Sequence, residues 1–122
     1  MGLDMSVYAT TEIITAQVDF SEIHSMQELH SWRKRPDLHA WMYRLYRERG
    51  GANPSFNGVA LKLTSADLNE LKAAIREGRL PETSGSFFGK PDGSEREDDL
   101  EFVRKARAAI RAGSALFYEA SW

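Results

Sequence analysis

The hydrophobic period of this chain switches between two and 3.6 along its length, and that switching restricts it to folds mixing sheet and helix. Leu3, Met5, Val7 and Ala9 alternate with Asp4, Ser6, Tyr8 and Thr10, the signature of a half-buried strand. Over residues 36–49 the spacing lengthens: Leu38, Trp41, Met42, Leu45 and Tyr46 form one apolar stripe of a helix. Pro36 suits its first turn, Asp37 meets the positive end of its dipole, and Gly50-Gly51 supplies a left-handed stop. Val59, Leu61 and Leu63 then return to a period of two.

Thr64 with Asp67 forms a capping box opening a second helix, whose buried face is Leu68, Leu71 and Ile75 and whose end is Gly78. Residues 82–93 are rich in Gly, Ser, Thr and Pro and read as a loop. Ser94 with Glu97 caps a third helix with the face Leu100, Val103, Ala106 and Ile110, closed by Gly113. Residues 115–118 read as a final strand, while 10–25 are poorly periodic and hold a short strand, a loop or both. The expected architecture is α+β: a small, mostly antiparallel sheet of three to five strands with three helices packed on it. With 122 residues, one globular domain spanning 1–122 is expected.

No apolar run is long enough to span a bilayer, and the N-terminus lacks the basic start and apolar stretch of a signal peptide, so a cytoplasmic protein without membrane association is expected. The absence of cysteine excludes a disulfide framework, a thiolate nucleophile and a zinc knuckle. A net charge of −2 argues against direct nucleic-acid binding, yet the charge is unevenly placed. Residues 32–49 carry six bases against two acids, and residues 92–101 carry six acids against one base.

These runs define two candidate surfaces. The aromatic-basic one comprises Trp32, Arg33, Lys34, Arg35, His39, Arg44 and Arg47, able to stack on bases or fork onto phosphates and carboxylates. The acidic one, Glu95, Glu97, Asp98, Asp99 and Glu101, could mimic a phosphate backbone, although acids at a helix N-terminus are also favoured by its dipole. Reversing Arg33 and Arg35, or Glu97, Asp98 and Asp99, is expected to abolish binding and leave the fold intact. If the chain is an enzyme, His39, Tyr43 and Arg47, stacked four residues apart, are the candidate catalytic group, with the imidazole poised near neutrality. His24 and Glu28 could share a helix face with His30 following, but no H-E-x-x-H pairing exists, and no metal or cofactor is expected. Phe87 and Phe88 are expected in the core or at an interface, so a homodimer is one expected assembly.

Several segments together resemble a family of small proteins common in phages and prophage regions of bacteria. They are Met1-Gly2-Leu3-Asp4-Met5 with Tyr8-Ala9, the run from Trp32 through Arg33-Lys34-Arg35-Pro36-Asp37-Leu38-His39-Ala40-Trp41 to Met42, Phe56-Asn57, Leu80-Pro81-Glu82-Thr83-Ser84-Gly85 with Phe87-Phe88-Gly89, and the terminal Tyr118 to Trp122. Gly58 stands where relatives often have Cys, and the C-terminal Trp motif is rearranged. The resemblance implies a non-enzymatic accessory protein of the bacterial host cytoplasm whose partner is a host protein or protein–nucleic-acid complex. Inhibition of a host defence system such as CRISPR is one form of that role. The alternative is a small enzyme or nucleotide- or phosphate-binding protein using His39 and the Arg-rich helix. Family members are sometimes labelled phosphoglycerate kinase, but a two-domain kinase does not fit this length. The run Gly85 to Pro91 is also one residue short of a phosphate-binding loop between its glycines and lacks the Ser/Thr for magnesium.

Overall fold

Seven elements follow in the order β1 (Asp4–Thr10), β2 (Gln27–Arg33), α1 (Pro36–Glu48), β3 (Leu61–Leu63), α2 (Ser65–Arg76), α3 (Ser94–Arg111) and β4 (Ala115–Ser121). The structure, a computed structural model, describes residues 3–20, 23–81 and 94–122, the side chains of Ser94 and Glu95 excepted. Four antiparallel strands lie in the order β2-β1-β4-β3, so the α+β expectation is met. Phe87, Phe88 and the rest of the 82–93 loop lie outside the described residues, as does the Ser94 side chain expected to cap α3.

Alternation places Met5 and Val7 of β1 with Leu116, Tyr118 and Ala120 of β4 on one face of the sheet. That face packs against Leu38, Met42 and Tyr46 of α1, Leu68 and Leu71 of α2, and Phe102, Val103 and Ala106 of α3. The opposite face is partly covered by the irregular segment after β1, where Ile14, Phe20 and Ile23 meet Tyr8 and Phe117. Val18 of that segment bridges to Leu61 of β3, and the Gln17 carbonyl accepts from Lys62 N at 2.9 Å.

Strand β2 corrects the expectation that His24 and Glu28 share a helix face. Its register against β1 slips between Val7 and Tyr8, leaving Leu29 as an extra residue. The bulge reverses the side-chain parity, so Glu28 joins the solvent face and accepts a hydrogen bond from Ser6 Oγ at 2.8 Å. Beyond the bulge Trp32 points into the core. The parity flip erases the period-two signal by which a strand is read. The Leu29 carbonyl accepts from Lys105 Nζ at 3.1 Å, so α3 covers part of this outer strand edge.

The expected α2 capping box is present. Thr64 N donates to Asp67 Oδ2 at 2.8 Å, and Asp67 N donates back to Thr64 Oγ1 at 3.3 Å. Arg49 pairs with the same Asp67 and donates to the Lys62 carbonyl, tying the end of α1 to the β3–α2 junction.

Candidate functional site

Arg35 stands between β2 and α1, and its guanidinium turns inward to α3. Nη1 and Nη2 donate to the two carboxylate oxygens of Asp99 at 2.8 and 2.7 Å, a bidentate fork, while Nε reaches Asp37 Oδ1 at 3.3 Å. Trp32 Nε1 donates to the same Asp99 at 3.1 Å, and the Trp32 ring lies edge-on to Phe102 at 4.8 Å between centroids. Beside them His30 Nε2 sits 3.1 Å from Asp98. Trp32, Arg35 and Asp99 are 5%, 8% and 1% exposed, which removes all three from any external surface. Burial pushes the Asp99 carboxyl up, opposed by Arg35 and the Trp32 N–H. Burial disfavours the Arg35 cation, but Asp99 and Asp37 outweigh it and hold the guanidinium charged.

The two oppositely charged runs are therefore neighbours that partly neutralise each other inside the fold. Reversing Arg35 or Asp99 would set two like charges together in the core, so the expectation that such variants leave the fold intact is corrected. Arg33 pairs with Asp4 at 3.0 Å on the surface, Arg47 donates to the Gly51 carbonyl at 3.4 Å, and Arg49 is held by Asp67. Lys34 and Arg44 are exposed. Of the acidic set, Glu101 pairs with Arg104, Glu97 is exposed, and the Glu95 side chain lies outside the described residues.

The potential catalytic group also separates. His39 Nδ1 lies 2.7 Å from the Tyr118 hydroxyl, and its ring stacks on Phe56 at 5.1 Å and meets the edge of Trp122 at 4.9 Å. The Tyr43 hydroxyl donates to the Pro54 carbonyl at 3.4 Å. Three different partners thus take His39, Tyr43 and Arg47. Burial lowers the His39 pKa to about 4, so the ring is neutral at pH 7 and is not the near-neutral acid–base group expected. Among the described residues no group of three or more His, Cys, Asp or Glu side chains could hold a metal ion.

A depressed histidine pKa makes stability depend on pH. The unfolded imidazole takes up a proton near pH 6.5 and the folded one only near pH 4. The contribution is therefore fully present above pH 6.5 and is lost as pH falls to 4. After allowance for the part-open ring it amounts to about 2 kcal/mol. Urea denaturation between pH 7.5 and 4 is expected to show this loss, and His39→Gln should flatten that part of the profile. An unchanged slope in the variant would assign the loss to other groups.

A third locus is a groove of about 420 Å³ between α1 and α2. Trp41, Leu45, Ala73 and Ala74 line it, together with the charged Arg44, Glu48, Glu70 and Arg79. Arg79 pairs with Glu77 at 3.1 Å, whereas Arg44, Glu48 and Glu70 have no ion-pair partner among the described residues. The sequence places Trp41 on the apolar stripe of α1 and Arg44 in the aromatic-basic set. The α2 side was missed, and its only sequence signal is the small pair Ala73-Ala74 facing a tryptophan.

Comparison of the chain with protein-family models, with curated proteins and with solved structures finds no match in any of the three. Among the described residues no helix is long and apolar enough to cross a membrane.

Proposed function

We propose that this chain is a phage or prophage accessory protein that acts by binding a host protein, alone or in a complex with nucleic acid, and that it docks through the α1–α2 groove. The observation that carries this reading is the groove's make-up: an apolar base with a tryptophan, bordered by Arg44, Glu48 and Glu70, which have no ion-pair partner among the described residues. An apolar base takes an anchoring side chain, and bordering charges orient the segment around it. Blunting a host defence system, CRISPR included, is the role the family resemblance suggests for such binding. The alternative, a small enzyme or phosphate binder working through His39, has less support, because His39 is neutral and the Arg35 fork is closed on Asp99.

The test is an affinity pull-down from lysate of a natural host, read by mass spectrometry, with wild type and with Arg44→Glu/Ala73→Arg, which fills the groove and reverses its border. Wild type is expected to recover one protein stoichiometrically and to lose it as salt rises. The variant, with an unchanged circular-dichroism melt, is expected to recover about tenfold less or worse. Equal recovery by both would remove the groove as the docking site, and no partner at any salt would overturn the reading.

A further inference from the structure

We propose that the seam between α2 and α3, beside the groove, is a docking surface for an acidic segment of a partner protein, whose carboxylates are taken by Lys72, Arg76, Arg96 and Arg107. This inference rests on the protein-binding reading above and names the chemistry of the partner.

Sequence spacing puts two cations on each side of the seam. Lys72 and Arg76 are one turn apart on α2, and Arg96 and Arg107 lie three turns apart on α3, so each pair shares a helix face. The packing of α2 on α3 brings the pairs together. Arg96 Nη2 donates to the Arg76 carbonyl at 2.8 Å, and Arg107 donates to Asn69 Oδ1 across the seam. Both guanidiniums are thereby held by one hydrogen bond each, with further donors left over. None of the four cations has a carboxylate partner among the described residues, unlike Arg33, Arg35, Arg49, Arg79 and Arg104. Their mutual repulsion registers at Lys72, where Arg76 and Arg107 hold the ammonium below the usual lysine range.

Four cations along one seam without a counter-charge among the described residues call for an external anion. Carboxylates of a protein fit better than a nucleic-acid backbone for two reasons. None of Asn69, Lys72, Arg76, Arg96 and Arg107 carries an aromatic ring on which a base could stack, and a net charge of −2 weighs more against a long polyanion than against a short acidic segment. Lys72 is also followed directly by Ala73 of the groove, so a segment anchored there can continue across the seam.

The test is a fluorescence-anisotropy titration of the full chain with a labelled oligo-glutamate peptide and, in parallel, with a single-stranded oligonucleotide of equal charge. Wild type is expected to bind the peptide in a salt-dependent way, and Lys72→Glu/Arg107→Glu to weaken it by about tenfold or more. Should that variant unfold, Lys72→Glu/Arg76→Glu changes only α2 and reads the same surface. Undiminished peptide binding in a folded variant would overturn the proposal. So would tighter binding of the oligonucleotide, lost in the same variant. Arg44→Glu/Ala73→Arg is expected to keep oligo-glutamate binding, so failure of the groove reading does not disturb this titration. Conversely, loss of the titration result leaves the pull-down standing on its own.

Discussion

Asp99→Ala is expected to destabilise the protein by about 3–5 kcal/mol, a large part of the stability of a domain this size. The carboxylate is 1% exposed and accepts both arms of the Arg35 fork and the Trp32 N–H. Its removal takes the bidentate acceptor from a buried guanidinium, which keeps Asp37 Oδ1 at 3.3 Å, and leaves a buried indole N–H without its acceptor. Urea denaturation followed by tryptophan fluorescence reads the loss directly. The double variant Arg35→Met/Asp99→Leu is expected to recover most of it, because exchanging a buried ion pair for apolar groups of similar volume is often neutral. A single-variant loss below about 1 kcal/mol would mean that water reaches the pair and the network does not hold α3 to β2.

Gly51→Ala is expected to cost about 3 kcal/mol, although Gly50 next to it tolerates alanine at about 1 kcal/mol. Gly50 has φ +85° with open space around the missing Cβ, so only the left-handed backbone opposes a side chain there. At Gly51 a Cβ would overlap Cδ2, Cε2 and Cζ of the Tyr46 ring. That ring cannot yield. It is fully buried, its hydroxyl donates to Asp19 Oδ1 at 2.5 Å, and the hydroxyl oxygen itself accepts from Asn53 N at 2.8 Å. Thermal melts of the two alanine variants should separate by roughly 5–10 °C. Equal melting temperatures would show that the α1 terminus shifts to admit the methyl group.

The His39 site shows why partners are harder to read than elements. The i, i+4 spacing placed His39, Tyr43 and Arg47 on one side of α1, and all three do sit on that helix. Which of them meets solvent, and what each touches, depends on β4 and on the 53–58 loop. Phe56, with φ +51°, inserts its ring among His39, Tyr43, Tyr46 and Tyr118. Nothing in the local pattern around Phe56 announces that conformation. The cationic seam was equally hidden, because its members come from two helices and only their packing sets the charges side by side.

What the sequence determined by itself was local. Periodicity placed β1, β3, β4 and the three helices, and the Thr64–Asp67 box marked the start of α2 correctly, since both signals depend on residues within a turn or two. Tertiary structure alone decided the rest. A one-residue bulge hid β2 by breaking its alternation, and α3 took one residue of each charged run into a buried pair by setting Asp99 against Arg35, 64 residues away. The physical reason is range. Backbone preference and amphipathic spacing act between near neighbours along the chain. Whether a charge ends in solvent or against its opposite depends on which elements pack together.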